Sequence, residues 1–204
     1  MKKLMRAVGI TILAGSILAA CNSDEGTGVP DEIRASDDQV DDNTEEEETG
    51  EAVFDQDFGD QLDLAIGDTA RISSNTGEFE ITIHSVELID NEIDGEAPMF
   101  DHFIKAEVTI TNIGESVLER ESTISILEIT DNLEASGTPD YSSQFESIEY
   151  LDGKIAPGDT VSVEALFDIY AGEEQYIRVN PGLIASDAVQ NDVRWTFDLN
   201  EARN

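Results

Sequence analysis

From about residue 61 onward, apolar and polar side chains alternate with a period of two, the signature of half-buried strands. Phe79, Ile81 and Ile83 share one face and Glu80 and Thr82 the other. After His84 the apolar phase moves to Val86 and Leu88, which predicts a bulge or a change of sheet. The clearest strand is 100–111. Phe100, His102, Ile104, Ala106, Val108 and Ile110 face inward, and Asp101, Lys105, Glu107, Thr109 and Thr111 outward. Val161, Val163, Ala165, Phe167 and Ile169 repeat the pattern, with Ser162, Glu164 and Asp168 outside. Shorter strands are predicted over 62–65, 70–73, 122–130, 149–155, 176–179 and 193–199. Val193, Trp195 and Phe197 share a face, so Trp195 is a core residue. Turn chemistry separates the runs, as at Gly67-Asp68, Asn75-Thr76-Gly77, Pro157-Gly158-Asp159 and Pro181-Gly182. Eight or nine such strands read as an all-β, Greek-key sandwich over 61–204. A long loop is expected over 134–147 and a helical turn near 185–189.

The N-terminal segment follows a different pattern. Lys2, Lys3 and Arg6 precede an uncharged apolar run of about 14 residues, too short to span a bilayer, which needs roughly 20. It ends in Leu18-Ala19-Ala20-Cys21, which resembles the lipobox of bacterial lipoproteins. That resemblance implies a signal peptide over 1–20, cleaved before a Cys21 that carries lipid and anchors the chain to a membrane from outside. Cys21 is the sole Cys, which excludes an internal disulfide and a Cys-rich zinc module.

Composition then sets the class. Acidic side chains number 46 against 11 basic ones, for a net charge of −35. That excludes nucleic acid and docking on anionic lipid through a basic patch. Residues 22–60 hold 16 acids and one base, Arg34. Such a segment repels itself and cannot bury enough surface to order, so 21–60 reads as the lipidated Cys followed by a disordered acidic tether. Residues 61–204 retain 30 acids and 7 bases, a net of −23. A saline or alkaline habitat would favour such a surface, because salt screens the self-repulsion.

Chemistry is sparse. There is no G-x-S-x-G, H-E-x-x-H, P-loop or C-x-x-C, and the chain reads as a non-enzyme. His84 reads as a surface or bulge residue, and His102 as half-buried at a strand's start. The best motif is Asp90-Asn91-Glu92-Ile93-Asp94-Gly95 with Asp101 at the twelfth position. Asp90, Glu92, Asp94 and Asp101 stand where a calcium loop places its oxygens, with Gly95 at the bend. An acidic hairpin connection accounts for the same residues. Phe103 and Tyr170 are outward aromatics that could join a binding patch.

The run Leu64-Ala65-Ile66-Gly67-Asp68-Thr69, the strand Phe79–Ile83 and the stretch Val108-Thr109-Ile110-Thr111-Asn112-Ile113-Gly114 together resemble the DUF4352 family of bacterial surface lipoproteins. Ile155-Ala156-Pro157-Gly158-Asp159-Thr160 and Tyr176-Ile177-Arg178-Val179 extend the resemblance over roughly 62–200. It implies an immunoglobulin-like sandwich and no catalytic residues. The expected function is a lipid-anchored surface module that binds or scaffolds an envelope or extracellular component. The alternatives are a Ca²⁺-dependent adhesion or sensing domain and an enzyme with an unrecognised site.

Overall fold

The computed structural model describes residues 58–203. The signal segment, Leu18, Ala19, Ala20, Cys21 and the tether up to residue 57 lie outside the described residues. Two sheets face each other. One has five strands in the order β1 (Gln61–Ala65), β11 (Val193–Asp198), β10 (Glu174–Val179), β6 (Leu127–Thr130) and β7 (Thr138–Pro139). The other has four: β2 (Thr69–Ser74), β3 (Gly77–Ile89), β4 (His102–Asn112) and β9 (Thr160–Ile169). A small ladder joins β5 (Leu118–Glu119) to β8 (Lys154–Ile155). The sandwich predicted from alternation is therefore present.

The inward residues of both sheets make one core. Ile72, Ile81, Ile110 and Phe167 meet Ile177 and Trp195, all fully buried. Trp195 also donates its indole N–H to the Asp68 carbonyl at 3.1 Å, tying β11 to the turn that carries the chain from one sheet to the other. In that turn Gly67 has φ 102°, which a side chain would resist. The phase shift at His84 is a bulge: Ile83 faces Val108 and Ser85 faces Glu107, which leaves His84 as the extra, exposed residue.

Four local expectations are corrected. The run 122–130 pairs as a strand only over Leu127–Thr130, after single 3₁₀ turns at Arg120–Ser122 and Ile124–Ile126. Only Lys154–Ile155 of 149–155 is strand. The helical turn lies earlier, as α1 (Pro181–Ala185), because the Asn180 side chain accepts from the Gly182 N–H and Pro181 presets the first helical φ. The segment 134–147 is no bare loop. It holds β7 and a 3₁₀ turn at Ser142–Gln144, and lies over the upper part of the outer face of β4 and β9.

Two further corrections lie on the same outer face, one made by that cover and one by the backbone at 99–100. Phe103 is 1% exposed and packs edge-on against Phe145 at 5.5 Å, with Ile148 and Leu166 beside it. Asp168, expected outside, is buried and accepts from the Met99 N–H at 2.7 Å. The cover also satisfies the free edge of β9, which would otherwise invite pairing with another chain. The Leu166 carbonyl accepts from Tyr141 N–H at 2.7 Å, and the Glu164 N–H donates to the Glu149 carbonyl at 2.7 Å.

Where β1 meets β11, Asp192 lies beside Asp60. Burial first, then repulsion from Asp60, pushes the Asp192 carboxyl above the usual carboxylate range. The folded state thus holds this proton more tightly than the unfolded chain. Stability falls as pH rises from the ordinary carboxylate value through the raised one, and the loss persists above it. Asp192→Asn is expected to raise neutral-pH stability by up to about 1 kcal/mol, since much of the group is open to screening solvent. It should also steepen the rise of Tm with pH through the acid range, because the opposing contribution of Asp192 is gone; an unchanged profile there would show that folding does not raise the Asp192 pKa.

Candidate functional site

The outer face of β2–β3–β4–β9 below the cover is open, and register decides which side chains meet there. Thr69, Thr82, Thr109 and Ser162 stand opposite one another across the four strands. Their hydroxyls link in part: Thr69 to Thr82 at 2.7 Å and Thr109 to Ser162 at 3.1 Å. His84 Nε2 joins Thr109 Oγ1 at 2.8 Å. The neighbouring row carries charge. Ser85 donates to Glu107 at 2.8 Å, and Glu164 lies across from Glu107 on β9. Lys105 is the row's cation, 3.2 Å from Glu164 and 3.4 Å from Glu87. Arg71 binds Glu80 at 2.9 Å on the far side.

Burial works against the Lys105 ammonium, but hydrogen bonding and attraction from Glu164, then Glu87, outweigh it and raise its pKa. Burial likewise disfavours the Glu164 carboxylate. Donation from the Glu149 N–H and the nearness of Lys105 outweigh that and lower its pKa. The two directions agree, so the contact holds at neutral pH and weakens as Glu164 protonates in acid.

Two shallow depressions share His84 and Glu107. One, of about 390 Å³, reaches Ile66, Lys105, Phe197 and Glu201. The other, of about 280 Å³, reaches Glu149, Ser162 and Glu164. Nucleophilic chemistry would need a hydroxyl paired with a histidine base. Ser85 instead gives its proton to Glu107, and His84 holds a threonine that is itself linked to Ser162. On this face the carboxylates outnumber the Lys105 cation that partly neutralises them.

The sequence-predicted calcium residues are placed separately. Asp94 and Gly95 have φ of 52° and 87°, and Ile93 and Glu96 exchange both backbone bonds around them. This is a two-residue hairpin turn of the Asp-Gly kind. Asp94 accepts from the Ser147 N–H at 2.9 Å and Asp101 from the Ala171 N–H at 2.9 Å. Asp90 lies 2.7 Å from His102 Nδ1, and Glu92 is exposed. Among the described residues, no three His, Cys, Asp or Glu side chains gather as a cation would require. Calcium at fixed ionic strength is therefore expected to move the melting temperature no further than NaCl does. A shift at micromolar calcium would support an ion site at the acidic motif. Tyr170 is exposed and stacks on Phe100 at 4.3 Å, whereas Phe103 belongs to the cover's core. No helix of the described residues is long and apolar enough to cross a membrane.

A family model described as a domain of unknown function, DUF4352, matches residues 64–189. No curated protein matches the sequence. Among solved structures, the chain is similar to MPT63, a secreted protein from Mycobacterium tuberculosis, at 11% identity over 66% of this chain and 96% of that one, with a TM-score of 0.49. A Clostridium difficile protein described as an uncharacterized β-sandwich is similar at 13% identity, over 70% and 98% of the two chains, with a TM-score of 0.42. The yjhA protein from Bacillus subtilis is similar at 16% identity, over 68% and 100%, with a TM-score of 0.43.

Proposed function

Starting from the premise that the chain belongs to the DUF4352 family, we propose that it is a non-enzymatic surface module that docks a basic partner from the envelope or the extracellular space. The observation that carries this is the open sheet face, where Glu87, Glu107 and Glu164 surround Lys105 beside a row of hydroxyls. Carboxylates in an acidic field steer a cationic partner inward and set its orientation, more than they add raw affinity. The net charge of −23 over 61–204 extends that field. The lipobox residues Leu18, Ala19 and Ala20 support an extracytoplasmic location, with Cys21 lipid-anchored. The acidic run to residue 60 would then hold the sandwich clear of the surface.

Two experiments test the reading. Proximity labelling on producing cells should enrich a basic partner with the native chain. It should lose that partner with the Glu87→Gln, Glu107→Gln pair and with rising salt. An identical labelled set from both chains would sink the sheet face as the docking surface. Cys21→Ala should release the chain from the membrane fraction into the medium; retention with unchanged processing would remove the anchor from the proposal.

A further inference from the structure

The larger depression on the sheet face continues over the edge of β3, where Ile66, Val86 and Phe197 are among its walls. β2 pairs with β3 only as far as Thr82, which stands opposite Thr69, so the upper half of β3 has no partner strand on that side. Two other segments close part of this edge. The Ile83 carbonyl accepts from the Gly67 N–H at 2.7 Å, and the Leu88 N–H donates to the Ala202 carbonyl at 2.8 Å. A gap is left between the turn at Gly67 and the tail at Ala202.

Val86 sits in that gap. Backbone groups alternate in direction along an antiparallel strand, so Val86, two residues before Leu88, turns its N–H and C=O to the same side. The bulge at His84 agrees with this phase, since it adds one residue between Ile83 and Val86, and both then face the edge. Among the described residues, no group pairs with the Val86 N–H or C=O on that side. An unpaired stretch of strand edge is a template for another chain. Its surroundings are chemically sorted. The Val86 side chain packs inward beside Ile66, against the core. Glu87, Glu107 and the exposed Glu201 line the same depression, with Lys105 as its cation.

We infer that this gap takes one short extended segment of the basic partner by strand addition, with the segment's backbone pairing to the N–H and C=O of Val86. Side chains alternate along such a segment. The residue opposite Val86 points inward to Ile66 and Phe197 and is apolar. Its neighbours point to the outer face, where Glu87, Glu107 and Glu201 call for lysine or arginine. The tether, with 16 acids and one base over 22–60, carries the wrong charge to be the occupant, and so does a second copy, at −23 over 61–204. The inference rests on the basic partner of the proposed function and adds how that partner is held.

The test titrates the full chain at fixed ionic strength with an acetylated, amidated pentapeptide of alternating lysine and valine, followed by NMR shifts and hydrogen exchange of backbone amides. Before addition, the Val86 amide should exchange much faster than that of Leu88, which Ala202 already holds. The probe should then shift Val86 saturably and slow its exchange. The same peptide with glutamate in place of lysine should not bind. Methylating every backbone nitrogen of the lysine probe keeps its charge and removes its donors. That should weaken it at least about fivefold, the net worth of one hydrogen bond. The Glu87→Gln, Glu107→Gln pair should weaken the unmethylated probe, with Val86 still protected at saturation. Equal binding of the methylated probe, or saturable shifts at Lys105 and Glu107 that bypass Val86, would overturn strand addition and leave the charged face standing as a docking surface. No saturable binding, or a Val86 amide as protected as Leu88 in the free chain, would also overturn it. Equal binding of the glutamate probe, or no weakening by the glutamine pair, would instead overturn the basic partner on which the inference rests.

Discussion

Replacing Arg178 with methionine is expected to cost about 3–5 kcal/mol of folding stability, because it strands a buried carboxylate. Glu128 and Arg178 stand opposite each other on β6 and β10, with side chains 4% and 7% exposed. Arg178 Nε donates to Glu128 Oε1 at 2.9 Å. Its two terminal nitrogens reach the carbonyls of Leu133 at 2.8 Å and Ala135 at 2.6 Å. Asn180 satisfies the second carboxylate oxygen at 2.9 Å. The guanidinium thus closes the chain after β6 over its own sheet. Its loss removes three sets of bonds and leaves Glu128 charged in a dry place. For a domain of this size, each kcal/mol shifts Tm by about 2–4 °C, so a fall of about 6–20 °C is expected. The paired variant Glu128→Leu, Arg178→Met removes both charges and should recover much of the loss, as buried ion pairs often trade evenly with apolar packing. A single variant that loses under 1 kcal/mol would show that solvent reaches Glu128.

Asp140→Ala is expected to cost a similar amount, about 3–5 kcal/mol, and to add aggregation. The Asp140 side chain is fully buried. Oδ1 accepts from the Leu166 N–H at 3.0 Å and the Ser142 N–H at 2.9 Å. Oδ2 accepts from the Ser142 hydroxyl at 2.9 Å and pairs with Arg120. One carboxylate therefore fastens the cover to β9, holds the 3₁₀ turn and neutralises an arginine. Alanine leaves two backbone donors and a cation unpaired and loosens the segment that shields the β9 edge. Denaturant melts should show the loss, and light scattering should show concentration-dependent association. A destabilised variant that stays monomeric would mean that Tyr141 and Glu149 shield the edge without this anchor.

Much of the sandwich was legible because burial on one face of a strand imposes a period of two. That is why the runs 100–111 and 161–169 read as strands, which the structure bounds at His102–Asn112 and Thr160–Ile169, and why the slip of phase at His84 located a bulge. Phe103 and Asp168 misled because alternation assumes one buried face. Once the segment 134–147 lies over the sheet, outward positions there become a second core. The partners of the acidic motif were hidden for a related reason. Spacing names residue types along a loop, but the φ values of Asp94 and Gly95 make a tight hairpin that turns the carboxylates toward separate partners.

By itself, the sequence determined the strand periodicity, the turn positions, the acidic character and the lipobox pattern at Cys21, since each is a local property of neighbouring residues. Tertiary structure alone decided which outward side chains share a row, that Glu128 meets Arg178 and Asp140 meets Leu166, and that Gly67 and Ala202 flank one stretch of the β3 edge. These contacts join residues far apart in the chain, and their geometry comes from strand register and sheet packing, which no local pattern encodes.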